Sequence, residues 1–223
     1  MRVPALLILV VIGAIAAAVI SYNLKQQRIA AWRQAASGLG LQYAQQDPFG
    51  LDDLAFTLFT KGDGRGCENV AWGTYKGLET KVFEYWYYVT STDGKGHTSR
   101  TYHRYTCALA NTSLFAPSLT IARETLMTRL ADAVGLRDID FESEEFNRAY
   151  QVRCGDKKFA SYLIDARMMA WLLTVEGVSI EACNDLVLVA TRRGKPAAIP
   201  FHVGVAHAFC ERIPSAARAE WGA

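Results

Sequence analysis

The sequence predicts an α+β protein: an N-terminal transmembrane helix, then one domain in which an antiparallel β-sheet packs two or three helices. Three observations carry this. No side chain from Val3 to Leu24 is charged, and most of that run is Leu, Ile, Val and Ala. Between residues 68 and 122, runs of aromatic and β-branched residues alternate with turn signals. Helical periodicity then takes over from Leu126. Strands first and helices later, without regular β-α-β alternation, argue against a Rossmann-type sheet and favour helices set against an antiparallel one.

The expected organisation is a transmembrane anchor at 1–24, a juxtamembrane helix and linker at 25–46, a globular domain at 47–213 and a frayed tail at 214–223. Val3 to Leu24 is 22 residues. At about 1.5 Å per residue that reaches roughly 33 Å, enough for a hydrocarbon core of about 30 Å. Pro4 falls near the helix start, where proline is tolerated. The alternative is an exported domain behind a cleaved signal peptide, with Arg2 as its basic end and Ala14, Ala16 and Ala18 as small residues. The apolar run outlasts a signal peptide's hydrophobic region, which favours a retained anchor. Lys25, Arg28 and Arg33 follow the span with no acid before Asp47, whereas only Arg2 and the α-amino group precede it. The positive-inside rule then places the body in the cytoplasm, at the inner (plasma) membrane.

Residues 25–37 continue the anchor into water. Leu24, Arg28, Ala31, Trp32 and Ala35 share a face, and Gly38 and Gly40 end the helix. Trp32 suits either the membrane interface or packing on the body. Asp47-Pro48-Phe49-Gly50 is a turn, Leu54 to Thr60 is apolar, and Lys61 to Gly66 reads as a flexible loop. Glu68 to Tyr75 is a strand ending at the tight turn Lys76-Gly77. Thr80 to Thr90 is the strongest strand, with apolar residues on both faces, and is expected at the centre of the sheet. Asp93 to Gly96 is a hairpin tip, Arg100 to Ala110 the returning strand, and Leu119 to Ala122 a fourth strand. Leu126 to Val134 forms a helix stopped by Gly135. Strands follow at 138–141 and 150–154. Asp156 then caps a helix to about Thr174 that buries Phe159, Leu163, Ala166, Met169 and Leu173. Residues 178–182 and 185–191 read as a hairpin around Cys183-Asn184, and 200–213 as a last helix stopped by Pro214.

Net charge is +2, but without Arg2, Lys25, Arg28 and Arg33 there are 20 basic residues against 22 acidic ones. A near-neutral body is not a general nucleic-acid binder. The five cysteines are odd in number and lack a Cys-x-x-Cys pair, which favours reduced thiols over a disulfide framework.

Few residues point to chemistry. The glycines from Gly62 to Gly66 lack the Gly-Lys-Ser/Thr ending of a P-loop. His202 and His207 lie about 140° apart on a helix and cannot share a metal as an i, i+4 pair does. His207 and Cys210 supply too few ligands for zinc, and adjacent Glu144 and Glu145 diverge. No nucleophile-elbow, zincin or kinase motif occurs. The one candidate cluster is Glu84 with His103 and Arg104 across the hairpin, either a cross-strand ion pair or a polar pocket. No cofactor is implied. The expected function is therefore a non-catalytic interaction or regulatory domain at a membrane surface, joined to the bilayer through residues 3–24 and to an unidentified protein partner. An enzyme or small-ligand binder using Glu84, His103 and Arg104 is the alternative.

Three segments taken together carry a resemblance: Trp72-Gly-Thr-Tyr-Lys-Gly77 before Val82-Phe-Glu-Tyr-Trp-Tyr87, then Phe141 to Val152 with its Glu145-Phe-Asn147 core, then the helix after Asp156. The chain resembles, over most of residues 25–190, a broad family of membrane-anchored bacterial proteins of unassigned function. The resemblance implies no catalytic residues. The Glu145-Phe-Asn147 segment itself reads as a corner, with Phe146 buried and Asn147 bonded to the backbone.

Overall fold

The computed structural model describes residues 3–123 and 137–222. The expected helix from Leu126 to Val134, with its Gly135 stop, lies outside the described residues, as does Arg2.

One helix, α1 (Val3–Gly38), runs through the apolar segment and onward into the domain. It is long and apolar enough to cross a membrane by length and composition. Ile8 to Gln27 are exposed all round, with no preferred face, as lipid contact requires. From Ile29 the pattern changes: Ile29, Trp32 and Ala36 are buried at helical spacing. Trp32 is therefore a core residue.

Among the described residues, seven strands form one antiparallel sheet: β1 (Gln42–Gln46), β2 (Gly64–Tyr75), β3 (Leu78–Thr92), β4 (Thr98–Ala122), β5 (Arg137–Ile139), β6 (Gln151–Cys154) and β7 (Ser179–Arg192). The order is β1-β2-β3-β4-β6-β5, with β7 along the other edge of β4. Lys76 and Gly77 both take positive φ and close the β2–β3 hairpin as a primed turn does. Strand β3 lies inside the sheet, and Val82, Phe83, Glu84 and Tyr85 are buried on its two faces.

The helices are α2 (Glu144–Ala149), α3 (Lys157–Leu163), α4 (Ala166–Leu173), α5 (Ile199–Arg212) and α6 (Ser215–Trp221). One face of the sheet carries Ala71, Val82, Ala108, Leu119 and Ile121 and packs against α1 and the other helices. The opposite face carries Phe83, Tyr85, Tyr87 and Cys107 and is covered by residues 51–60, two short 3-10 turns holding Leu51, Phe56 and Phe59.

Several expectations change. The sheet begins at Gln42, inside the expected linker, and the last turns of α1 belong to the core. Leu119 to Ala122 is the end of β4, which runs unbroken for 25 residues. The two expected strands at 178–182 and 185–191 are one, β7 (Ser179–Arg192), with no hairpin between them. Asn184 does adopt the left-handed conformation of a turn residue, but β4 is irregular between Asn111 and Ala116, where Ser113 also has positive φ. Both strands bend together there and stay paired. The helix after Asp156 is two helices, because Asp165 starts a new N-cap by accepting from Met168 N. The break shifts the buried set to Met168 and Leu172, leaving Ala166 exposed. Asp156 caps α3 as expected, through Lys158 N and Phe159 N. Asn147 holds both backbone groups of Phe141, and Phe146 is buried. The tail is folded: Arg218 donates to the Cys210 carbonyl at 2.6 Å, and Trp221 meets Phe159 and Tyr162 edge-on.

Candidate functional site

The polar centre of the molecule lies where α1 meets the sheet. Glu84 points from β3 toward α1 and is almost wholly buried. Its carboxylate accepts from Arg28 Nε at 2.6 Å and from a second Arg28 nitrogen, from Arg193 Nε at 3.1 Å and Nη2 at 3.2 Å, and from Asn69 Nδ2 at 2.9 Å. Burial pushes the acid's pKa up, but the hydrogen bonds and charges of Arg28 and Arg193 outweigh it and hold the carboxyl below its ordinary value.

Each partner is placed by local structure. Arg28 sits one helical turn past Leu24, on the stripe that becomes the buried face. It also donates to the Gly194 carbonyl at 2.8 Å. Asn69 lies in a β-bulge between Glu68 and Ala71 and has φ of 53°, a left-handed conformation that asparagine tolerates. The bulge turns its amide onto Glu84, and Tyr43 Oη donates to its carbonyl oxygen at 2.7 Å. Arg193 follows β7, its N–H donating to the Arg104 carbonyl at 3.0 Å.

Beside this clamp is an open cleft of about 420 Å³ lined by Ser21, Leu24, Lys25, Glu68, Arg104 and Arg193, among others. Glu68 lies directly across from Glu84. Two carboxylates in that position repel, and Arg104 offsets this by pairing with Glu68 at 2.8 Å. With Lys25 added, the cleft is net basic and opens beside the end of the apolar run.

The sequence candidates separate. Glu84 and Arg104 share a face, but register puts Thr106 opposite Glu84 and Trp86 opposite Arg104. His103 pairs with Tyr87 on the far face and stacks on its ring at 4.7 Å. The expected Glu84–His103–Arg104 pocket is therefore not assembled; Glu84 is occupied by Arg28 and Arg193. Arg28 was legible as the single base on the Leu24–Ala35 stripe. Arg193 and Asn69 gave no such signal, since one follows a strand end and the other needs a bulge.

Other polar residues are structural. Glu181 is buried on the opposite face and accepts from Thr57 N at 2.7 Å and Leu58 N at 3.1 Å. Desolvation raises its pKa to about 7 against those bonds. His202 Nδ1 donates to the Ala198 carbonyl at 2.7 Å and its Nε2 faces Thr191 Oγ1 at 2.8 Å. His207 packs edge-on against Tyr75 and pairs with Glu211. Asp47, Asp52 and Cys67 approach one another, but both Asp47 oxygens cap a turn by accepting from Phe49 N and Leu51 N. Burial raises the thiols of Cys67, Cys107, Cys154 and Cys210. This works against thiolate formation.

No protein-family model matches the chain, and no curated protein does. In fold it is similar to mycobacterial trehalose monomycolate transport factor A, TtfA, whose crystal structure superimposes with a TM-score of 0.61 at 13% identity, over 83% of this chain and 96% of that one. At that identity the likeness establishes a shared α+β fold. The apolar N-terminal helix beside that fold fits a membrane-anchored protein.

Proposed function

We propose that this chain is a single-pass membrane protein whose domain acts as a non-catalytic accessory module, docking a membrane protein partner and holding it at the bilayer surface. The observation that carries the reading is the unbroken α1: the helix that suits the bilayer is the same one whose last turns are buried in the domain and clamped by Glu84. A hinge would decouple the two; a clamped continuation fixes the orientation of the sheet to the membrane. Similarity in fold to a transport factor supports a partner within a transport system. Membership of the bacterial family that the motifs resemble belongs to the same reading. The bases Lys25, Arg28 and Arg33 support a cytoplasmic body at the inner membrane.

Two measurements test it. A reporter active only in the cytoplasm, fused after Ala223, gives signal if the body faces inward; activity of an export-dependent reporter at that position overturns the orientation. Tagged chain solubilised from membranes retains one stoichiometric integral-membrane partner; repeated recovery of the chain alone overturns the accessory role.

A further inference from the structure

We infer that the base of the β3–β4 hairpin is a second membrane contact, a seat on an anionic headgroup layer beside α1; this rests on α1 spanning the bilayer. Arg33 lies over Tyr43, whose row across the sheet is Ala71 and Val82. Arg28 meets Glu84 two residues further along β3. Ser21 and Leu24 share the cleft with Arg104, the register partner of Trp86. Moving up α1 toward the apolar run thus moves along β3 toward the hairpin, which leaves the body on the membrane side.

The face that emerges there has the composition of a membrane interface. Trp86, Tyr88 and Tyr102 form one ring cluster with centroids 5.4–6.4 Å apart. Arg100 lies 4.6 Å over Tyr88, and Arg104 lies 5.7 Å over Tyr102. β2 is shaped to receive the rings: a Cβ on Gly64 would fall 2.6 Å from the Tyr88 ring, and one on Gly66 would fall 3.0 Å from Trp86. These glycines, legible only as loop punctuation, are the floor of an aromatic platform. Trp and Tyr favour the headgroup level because an apolar body ends in a polar tip, and bases beside them are drawn to anionic lipid. Tyr102 is nonetheless 48% exposed in the isolated chain. The hairpin tip from Ser91 to Ser99 is polar and contains Asp93, Lys95 and His97. Such a tip resists burial in hydrocarbon; residues 8–27 of α1 and 89–102 of the hairpin are all exposed, so the hairpin does not pack along the apolar run and its tip is free to stay in the headgroup layer.

The test uses the full chain in lipid nanodiscs, one copy per disc, with the photo-crosslinker p-benzoylphenylalanine at Tyr102 or at Phe115. Phe115 is 68% exposed and lies in the β4 bend, away from the hairpin. The expected result is lipid adducts at position 102 several-fold above position 115, rising when phosphatidylglycerol is added to phosphatidylcholine and falling with Arg100→Glu. Equal yields at the two positions in both lipids, or adducts to polypeptide in place of lipid, overturn the hairpin seat while α1 remains anchored. Failure of the chain to enter the discs overturns the anchor as well.

Discussion

The two faces of this sheet each bury a glutamate, and they solve the same problem in opposite ways. On the α1 face, Glu84 is surrounded by Arg28, Arg193 and Asn69 and is held ionised. On the other face, Glu181 accepts from the backbone N–H groups of Thr57 and Leu58, and desolvation pushes it up to about pKa 7. One carboxylate ties a distant helix to the sheet with charge. The other caps a local 3-10 turn that lies over an apolar core. The charged clamp therefore resists separation of α1 from the sheet, and the two carboxylates titrate with opposite effects on stability.

Breaking the clamp has the largest expected effect. Arg28→Met leaves a buried carboxylate short of a partner and costs about 3 kcal/mol, read by chemical unfolding of the full chain in micelles. The double variant Arg28→Met/Glu84→Met is expected to lose less than Arg28→Met alone. Arg193, about one-third exposed, is then free to hydrate. Equal loss in single and double variants would show that Glu84 is not the reason Arg28 matters. On the other face, Glu181→Ala orphans two buried donors and costs about 1–3 kcal/mol, with faster amide exchange confined to residues 51–60.

The pH dependence sharpens the contrast by its sign. Glu181 has a raised folded pKa, so its contribution is full below about 4.5 and is lost as pH rises toward about 7. Glu84 has a lowered folded pKa, so its contribution is present above its ordinary value and is lost as pH falls below it. Glu181→Gln should flatten the stability profile between pH 4.5 and 7 and leave the acid limb intact; loss of the acid limb would mean the assignments are exchanged. The smallest effect belongs to Arg104→Ala. Its pair with Glu68 is partly exposed, so removal costs under about 1 kcal/mol.

What the sequence makes legible follows from how local each cause is. The long apolar helix, the central position of β3, the Asp156 cap, the burial of Phe146 and the backbone bonds of Asn147 all depend on neighbours within a few residues, and each is found. Other features depend on tertiary register. A strand bent at Asn184 looks like a hairpin until β4 is seen to bend with it. The second N-cap at Asp165 sits inside an apolar periodicity that reads as one helix. Glu84 was identifiable as a buried-strand acid, but its partners come from residues 28, 69 and 193. Pattern within the hairpin therefore suggested His103 and Arg104, and alternation alone already sets His103 on the far face.

In the proposed reading α1 continues without a hinge from the bilayer into the domain and is locked there by Glu84. Amide hydrogen exchange of residues 25–36 in nanodisc-embedded full chain tests this most directly, with Arg28→Met as the comparison. Slow exchange is expected throughout this stretch in the unmodified chain. A marked acceleration is expected there in the variant, with β3 and β4 still protected. Fast exchange in the unmodified chain, or identical protection in both, would contradict it.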